Sequence, residues 1–283
     1  MQPHKFCDKL ISMLVAIDTG GTKTLVSSFN KKGERGPVYR FPTPIDKRRY
    51  VNEVKTILQE KYSDKKVDAI VIALPGIINN NVATWCENLG WKNFNLPKEL
   101  EGVLGKAPII IQNDANLAGL AEARALNPIP TSVLYVTVST GIGSGIITNG
   151  NIDIALSKSE AGRALIEYDG RVKEWEDFAS GRAIALTYKK LARDIHSIRT
   201  WRQIADRISR GFLALIPILQ PDIIIIGGSM GTHFDKYHTR LKELLVAKLP
   251  RNIPCPRIIK ARHPEEAVIY GCYYYGIDYL SKK

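Results

Sequence analysis

The sequence predicts an α/β protein built of two similar lobes facing each other across a cleft. Two observations carry this. Apolar runs with the character of buried strands alternate with helical stretches along the chain. A strand, a Gly/Thr-rich bend and a second strand also occur twice, about 120 residues apart, at Asp18-Thr19-Gly20-Gly21-Thr22-Lys23-Thr24 and at Ser139-Thr140-Gly141-Ile142-Gly143-Ser144-Gly145. No linker rich in Pro, Gly or Ser separates the copies, and the boundary is expected near 113–118, giving lobes over 1–115 and 116–264.

Taken in order, 13–17 is a buried strand, followed by a glycine bend and a second strand over 24–29 that ends in the turn Lys31-Lys32-Gly33-Glu34. Met13 stands at the head of the first strand, which leaves 1–12 as an extension or as the product of an upstream start. Residues 47–62 are helical, with Tyr50/Val51, Val54 and Ile57/Leu58 on one face. An apolar strand over 67–74 is stopped by Pro75-Gly76. A short strand at 108–112 leads directly into a helix rich in Ala and Leu. The strand 133–138 runs into a second glycine turn over 140–145. Residues 176–220 are mostly helical, 222–226 is a strand ending in Gly227-Gly228, and 265–280 forms a last, tyrosine-rich helix.

Composition narrows the class. The 283 residues carry 40 Lys and Arg against 28 Asp and Glu, a formal charge of +12. The hydrophobic fraction of 45% and charged fraction of 24% exclude a disordered, collagenous or coiled-coil chain. Cys7, Cys86, Cys255 and Cys272 form no CxxC pair, which argues against a disulfide framework or cysteine-rich zinc site and fits a reducing cytoplasm. No apolar run reaches the ~20 residues of a membrane helix, and the run 10–17 ends in Asp-Thr-Gly-Gly, unlike a signal cleavage site. The basic residues gather in the first 50 positions and at Arg193, Arg199, Arg202, Arg207 and Arg210. Without a nucleic-acid motif or interleaved aromatics they describe a solvated basic surface, so neither nucleic acid nor membrane is an expected partner.

Five constellations carry chemistry. In the first bend, Gly20 and Gly21 let backbone approach a polyphosphate, Thr22 and exposed N–H groups bond phosphate oxygens, and Lys23 adds charge. Asp18, at the strand end, is placed to hold Mg²⁺ through water. The second bend, with Thr140 and Gly141, follows the same logic. No GxxxxGK[ST] pattern is present, so neither bend is a P-loop. In Gln112-Asn113-Asp114-Ala115-Asn116, Asp114 is either the cap of the following helix or a carboxylate that takes a proton from a substrate hydroxyl. Glu160 and Glu176, with Arg163 beside them, are sugar-hydroxyl ligands, or else surface acids and caps. Pro221-Asp222-Ile223-Ile224-Ile225-Ile226-Gly227-Gly228 brings an apolar strand to bare backbone on which a flat ligand can lie.

In this order the motifs resemble the ROK family (repressors, open reading frames and sugar kinases) over about residues 13–280. Leu74-Pro75-Gly76 and Asn88-Leu89-Gly90-Trp91 match two further signatures of that family. The resemblance implies the two-lobed actin-like ATPase (ribonuclease H-like) fold, with ATP and sugar in a central cleft and the last helix (265–283) packed back on the first lobe. It implies ATP-dependent phosphorylation of a hexose or N-acyl hexosamine at the 6-hydroxyl, as in a glucokinase, with ATP and Mg²⁺ as cofactors. Asp114 is then the catalytic base. Asp18, Gly20, Gly21, Thr22, Lys23, Thr140, Gly141, Gly227 and Gly228 hold the nucleotide, and Gly76, Asn88, Asn113, Glu160, Arg163 and Glu176 meet the sugar. Three departures stand out. Arg163 replaces the His of a Glu-x-Gly-His pattern, Ser139 replaces a glycine, and Gly170-Arg171-Val172-Lys173-Glu174-Trp175-Glu176 stands where relatives carry a three-cysteine zinc loop, so no zinc site is expected. A guanidinium at 163 suits an acidic or phosphorylated substrate, or simply pairs with a neighbouring acid. The alternative function is a non-catalytic or degenerate sugar-binding regulator. Only 17 residues precede Asp18, too few for the winged-helix region of a ROK repressor. A homodimer is left open by the resemblance, and a cytoplasmic location is expected.

Overall fold

The computed structural model describes residues 12–264 and 266–282. The expectations for 1–11, Cys7 among them, and for Glu265 and Lys283 lie outside the described residues. The chain divides into two compact units, Met1–Leu117 with Val268–Lys283, and Ala118–Ala267.

In the first unit, β1 (Met13–Thr19), β2 (Lys23–Asn30) and β3 (Tyr39–Pro42) form an antiparallel meander, followed by α1 (Lys47–Tyr62) and β4 (Ala69–Leu74). A small sheet of β5 (Ile77–Asn79), β6 (Val82–Cys86) and β7 (Trp91–Phe94) precedes the short helix α2 (Leu96–Glu99) and β8 (Ile109–Asn113). The main sheet has the order β3-β2-β1-β4-β8, with β1, β4 and β8 parallel. Alternate residues of its apolar strands serve its two faces. Val15, Ile17, Ile70, Ile72 and Leu74 pack with Tyr50, Val51, Val54 and Leu58 of α1. Asp46 caps that helix by accepting from the Arg49 N–H at 2.9 Å.

Helix α3 (Asp114–Arg124) follows β8 without a loop and contributes residues to both units. In the second unit, β9 (Ser132–Val138), β10 (Ile142–Thr148) and β11 (Asn151–Ile152) form another antiparallel meander. The hairpin β12 (Leu165–Tyr168) and β13 (Arg171–Glu174) leads into α4 (Trp175–Ala179), α5 (Gly181–Tyr188), α6 (Ile198–Leu219) and β14 (Ile223–Gly227). The short α7 (Gly228–Gly231), α8 (His238–Lys248) and β15 (Arg257–Lys260) complete it. Its sheet order, β11-β10-β9-β14-β15 with β9, β14 and β15 parallel, repeats the connectivity of the first unit. Trp175, Phe178, Trp201, Ile208, Phe212 and Leu241 cover the face carrying Leu134, Val136, Ile224 and Ile226. The last helix, α9 (Ala267–Ser281), belongs to the first unit almost throughout and lies on its other sheet face, where a Cβ on Gly276 would stand 2.1 Å from the Leu14 Cδ1 atom.

Two local expectations are corrected. The second glycine turn does not extend over 140–145: Val138 pairs with Ile142, Thr137 with Gly143 and Tyr135 with Gly145, so the bend is Ser139-Thr140-Gly141 and the later glycines are strand residues. The stretch 176–220 is broken at Ser180, which ends α4 and caps α5, and again between Tyr188 and Ile198. Cys86, Cys255 and Cys272 are free thiols. Among the described residues no helix is long and apolar enough to cross a membrane.

Candidate active site

Three parallel strands of the first unit deliver their carboxyl ends side by side, the usual location of ligands in open α/β sheets. β1 ends at Asp18-Thr19, β4 at Leu74 just before Pro75-Gly76, and β8 at Asn113 just before Asp114. Thus the first bend, Gly76 and the Asn113-Asp114 pair converge, although 96 residues separate Asp18 from Asp114.

The first bend is braced from below. The Gly20 N–H donates to the Lys23 carbonyl at 3.0 Å, while Gly21, Thr22 and Lys23 are exposed. Thr43 supplies a brace that the motif does not contain. Its hydroxyl donates to the Gly20 carbonyl at 2.8 Å and lies 2.9 Å from the Thr24 hydroxyl, and its N–H donates to the Thr22 carbonyl at 3.0 Å. Thr19 shares a 2.6 Å hydrogen bond with the buried Tyr50 hydroxyl of α1. The bend therefore presents polar backbone on a base that cannot readily shift. Asn88 stands beside it: a Cβ on Gly21 would lie 3.6 Å from the Asn88 Cβ.

Asn113, not Asp114, caps α3. Its Oδ1 accepts from the Asn116 N–H at 2.9 Å, and its Nδ2 donates to the Gly76 carbonyl at 2.9 Å. Gly76 has φ +106° and a Cβ there would stand 2.1 Å from the Trp85 carbonyl oxygen, so only glycine fits. With the cap supplied next door, the Asp114 carboxyl has one short-range backbone partner, the Ala115 N–H at 2.8 Å. Burial pushes its pKa up to about 6 against the opposing pull of that N–H and its own. Burial, and then the nearby Asp114 charge, push Asp18 up to about 7, with Lys23 pulling the other way. Two carboxyls thus share one partly desolvated place. A divalent cation suits that donor set, since it is the charge that would let both ionise together. Asp18 is the residue that would hold it.

The second unit assembles its own set. The Ser139 N–H donates to the Gly141 carbonyl at 2.9 Å, and the Ser139 carbonyl accepts from the Gly181 N–H at the start of α5. Serine at 139 is accommodated because this bend needs no left-handed residue there. Thr140 is exposed at its tip. Glu176 lies against the bend: its Oε2 accepts from the Ile142 N–H at 3.0 Å, and a Cβ on Gly141 would stand 2.7 Å from that oxygen. Glu160 opens the 3₁₀ turn Ala161–Arg163. Arg163 pairs with Glu174 at 2.5 Å and with Glu176 at 3.5 Å. The segment 170–176 is the second strand of a hairpin, β13, running into the start of α4, and this hairpin brings Glu174 to Arg163.

Gly227 ends β14 and Gly228 opens α7, and both are buried. A Cβ on Gly227 would stand 2.2 Å from the Tyr135 hydroxyl oxygen, and one on Gly228, with φ +75°, would stand 2.6 Å from the Thr137 hydroxyl oxygen and the Val138 carbonyl oxygen. Packing within the unit alone therefore requires glycine at both positions. Asp18, Gly20, Gly21, Thr22, Lys23, Gly76, Asn88, Asn113 and Asp114 gather in the first unit. Thr140, Gly141, Glu160, Arg163, Glu176, Gly227 and Gly228 belong to the second. Thr43, Tyr50 and Glu174 support these sets and were missed in the sequence. Only the Pro42-Thr43-Pro44 flanks hinted at the first of them.

Comparison with known proteins bears on this arrangement. The model of the ROK family matches residues 14–277. The N-acetyl-D-glucosamine kinase of Vibrio vulnificus is 27% identical, over 94% of this chain and 99% of that protein. The glucokinase of Streptomyces coelicolor is 26% identical, over 64% of this chain and 61% of that protein. Among solved structures, a ROK family glucokinase from Streptomyces griseus in complex with glucose and AMPPNP superposes with a TM-score of 0.79 at 20% identity, covering 93% of this chain and 99% of that one. The fold is therefore the actin-like ATPase fold in its ROK form.

Proposed function

This chain belongs to the ROK family, and from that premise we propose that it is a kinase transferring the γ-phosphoryl group of ATP to the 6-hydroxyl of a neutral hexose or N-acyl hexosamine, with Asp114 as general base. The observation that carries the reading is the Asp114 carboxyl. It stands at the carboxyl end of β8, beside the ends of the parallel β4 and β1, is released from capping by Asn113, and is poised near pH 6. A base of that strength is ionised at neutral pH and still accepts a proton from an alcohol as the alcohol's oxygen attacks.

In the reaction, the hydroxyl proton passes to the Asp114 carboxylate while the hydroxyl oxygen forms its bond to the γ-phosphorus. The bond from that phosphorus to the β,γ-bridging oxygen breaks and ADP leaves. The N–H groups of Gly21 and Thr22, the Thr22 hydroxyl and the Lys23 ammonium bind phosphate oxygens over the Gly20 turn, as do the Thr140 and Gly141 backbone groups of the second unit. Gly227-Gly228 is the nucleoside end of the set. Asp18 is the residue that would hold Mg²⁺, which when bound would supply neutralisation of the phosphate charge. Asn88, Asn113, Glu160 and Glu176 orient the sugar through its hydroxyls. Arg163 meets Glu174 and Glu176 and so holds Glu176 in place. Its charge is already answered, which favours a neutral acceptor over an acidic one.

The test is ADP release with Mg-ATP over glucose, mannose, N-acetylglucosamine, N-acetylmannosamine and glucuronate. Turnover with at least one neutral sugar, and none with glucuronate, is expected. Absence of sugar-dependent ADP release by protein that binds ATP would overturn the reading in favour of a non-catalytic binder.

A further inference from the structure

The arginine run noted in the sequence forms a feature that the reaction does not use. Arg199, Arg202 and Arg207 of α6 line one groove, and Arg240 joins them from α8. Together with Tyr168 and Tyr188 they line an open groove of about 680 Å³, within the second unit. Among the described residues, Arg199, Arg202 and Arg207 make no ion pair, while the nearby Asp206 is engaged by Arg210 at 3.3 Å and Lys248 at 3.6 Å. Arg240 has Glu243 at 3.0 Å on the exposed side. Asp206 is the one carboxylate among the lining residues, and with its charge answered by Arg210 and Lys248 the groove keeps an excess of positive charge.

Arg207 is the fixed member. Its guanidinium lies 5.3 Å from the Tyr168 ring centroid and 5.5 Å from that of Tyr188. Its Nη1 donates to the Phe178 carbonyl at 2.8 Å, and its buried Nε has no hydrogen-bond partner. Arg199 and Arg202 are exposed and free to close on a ligand. Guanidinium forks match phosphate oxygens in paired hydrogen bonds. The tyrosine rings and the Gln203 amide offer surface and hydrogen bonds to a polyhydroxylated body. The recess has the size of a small-molecule site, and its cations are gathered rather than strung along a track as for a nucleic-acid strand.

We propose that this groove is a binding site for a phosphate monoester of a small polyhydroxylated molecule, the size of a hexose phosphate. The site connects to Glu176 through one short helix. Tyr168 stacks on Phe178 at 4.3 Å with an interplanar angle of 2°, and Arg207 holds the Phe178 carbonyl. Phe178 and Glu176 lie two residues apart in α4, on opposite sides of the helix. A ligand that draws Arg207 towards itself shifts α4 and the carboxylate it carries.

Calorimetric titration of glucose 6-phosphate tests the site, with glucose and AMPPNP present so that the reaction site is filled. The wild-type chain is expected to bind one equivalent. Arg199→Ala/Arg202→Ala, at exposed positions, is expected to bind roughly tenfold more weakly while keeping the wild-type Tm. No binding by the wild-type chain, or equal affinity in the double variant, overturns the proposal. So does inorganic phosphate binding as tightly as the ester, or a 20-nucleotide single strand binding more tightly than the ester through the same arginines. The titration needs no turnover, so it stands or falls apart from the kinase assignment. The link to Glu176 rests on that assignment. It predicts that the ester changes the sugar KM of the wild-type chain and not that of the double variant, and an equal change in both overturns the link.

Discussion

Asp114 sits close enough to Asp18 for its charge to raise the Asp18 carboxyl, and the consequences of the two separate by substitution. Asp114→Asn keeps the shape and the Ala115 hydrogen bond but removes the proton acceptor. Its kcat is expected to fall about 10²- to 10⁴-fold at saturating sugar and ATP, with circular dichroism unchanged. A kcat within about threefold of wild type would remove Asp114 from the base role. Asp18 makes a prediction about stability. Its carboxyl is raised from 3.8 to about 7 on folding. Between those values the folded chain holds a proton that the unfolded chain has lost. The stabilisation from that proton is full below pH 3.8 and disappears as the pH rises through 7, so the ligand-free protein carries an unfavourable buried charge at pH 8. Asp18→Asn is therefore expected to stabilise the ligand-free protein at pH 8 by roughly 2–4 kcal/mol, and progressively less towards pH 4, while losing Mg-ATP binding. Denaturant melts of both chains at the two pH values check the sign. A variant less stable than wild type at pH 8 contradicts it.

At the scale of elements, the carboxylate of Glu176 depends on a bend in one segment and a hairpin in another. Gly141→Ala directs a methyl group to within 2.7 Å of Glu176 Oε2, and that oxygen is also held by the Ile142 N–H. The methyl displaces the carboxylate, which is the end of a flexible side chain, so the fold survives. The sugar KM is expected to rise about tenfold or more, as when one charge-assisted hydrogen bond is lost, and the change in Tm is expected to be small. Steady-state kinetics with sugar varied at saturating ATP read this directly, and an unchanged sugar KM places Glu176 outside the sugar site. The bends and the main strands were legible in the sequence because glycines bounded by apolar runs have few other uses. The supporting contacts were not. Arg163 meets Glu174 only because Asp169 and Gly170, with φ of 53° and 72°, turn the chain back on itself in a two-residue hairpin. That Asp-Gly pair, and Asn149-Gly150 between β10 and β11, are hairpin signals that a search for larger motifs passes over. Thr43 reaches Gly20 through the register of β2 with β3, and β3 is a four-residue edge strand whose alternation is too short to announce itself.

At the scale of the whole molecule, the same strand plan is built twice, and each copy needs a helix on both faces of its sheet. The first unit draws one of those helices from the far end of the chain. On α9, Tyr270 and Tyr273 meet the Phe29 ring at 5.7 and 4.8 Å, a Cβ on Gly276 would stand 2.1 Å from Leu14 and 3.0 Å from Val71, and one on Gly271 would stand 2.0 Å from the Leu117 carbonyl oxygen. Nothing between residues 13 and 113 covers that face, since α1 packs on the other one. The first unit can therefore finish folding only after its last segment has been made. A chain ending at Ala267 should lose hydrogen-exchange protection in β1, β4 and β8 while keeping it in β9, β14 and β15, whose covering helices are all present. Gly276→Val is the milder form. It forces an isopropyl group into a site already filled by Leu14, and is expected to cost about 1–3 kcal/mol and to weaken the protection of the same three strands first. Equal loss of protection in both sheets, in either variant, would mean that the units unfold as one and that α9 is not a separate requirement of the first.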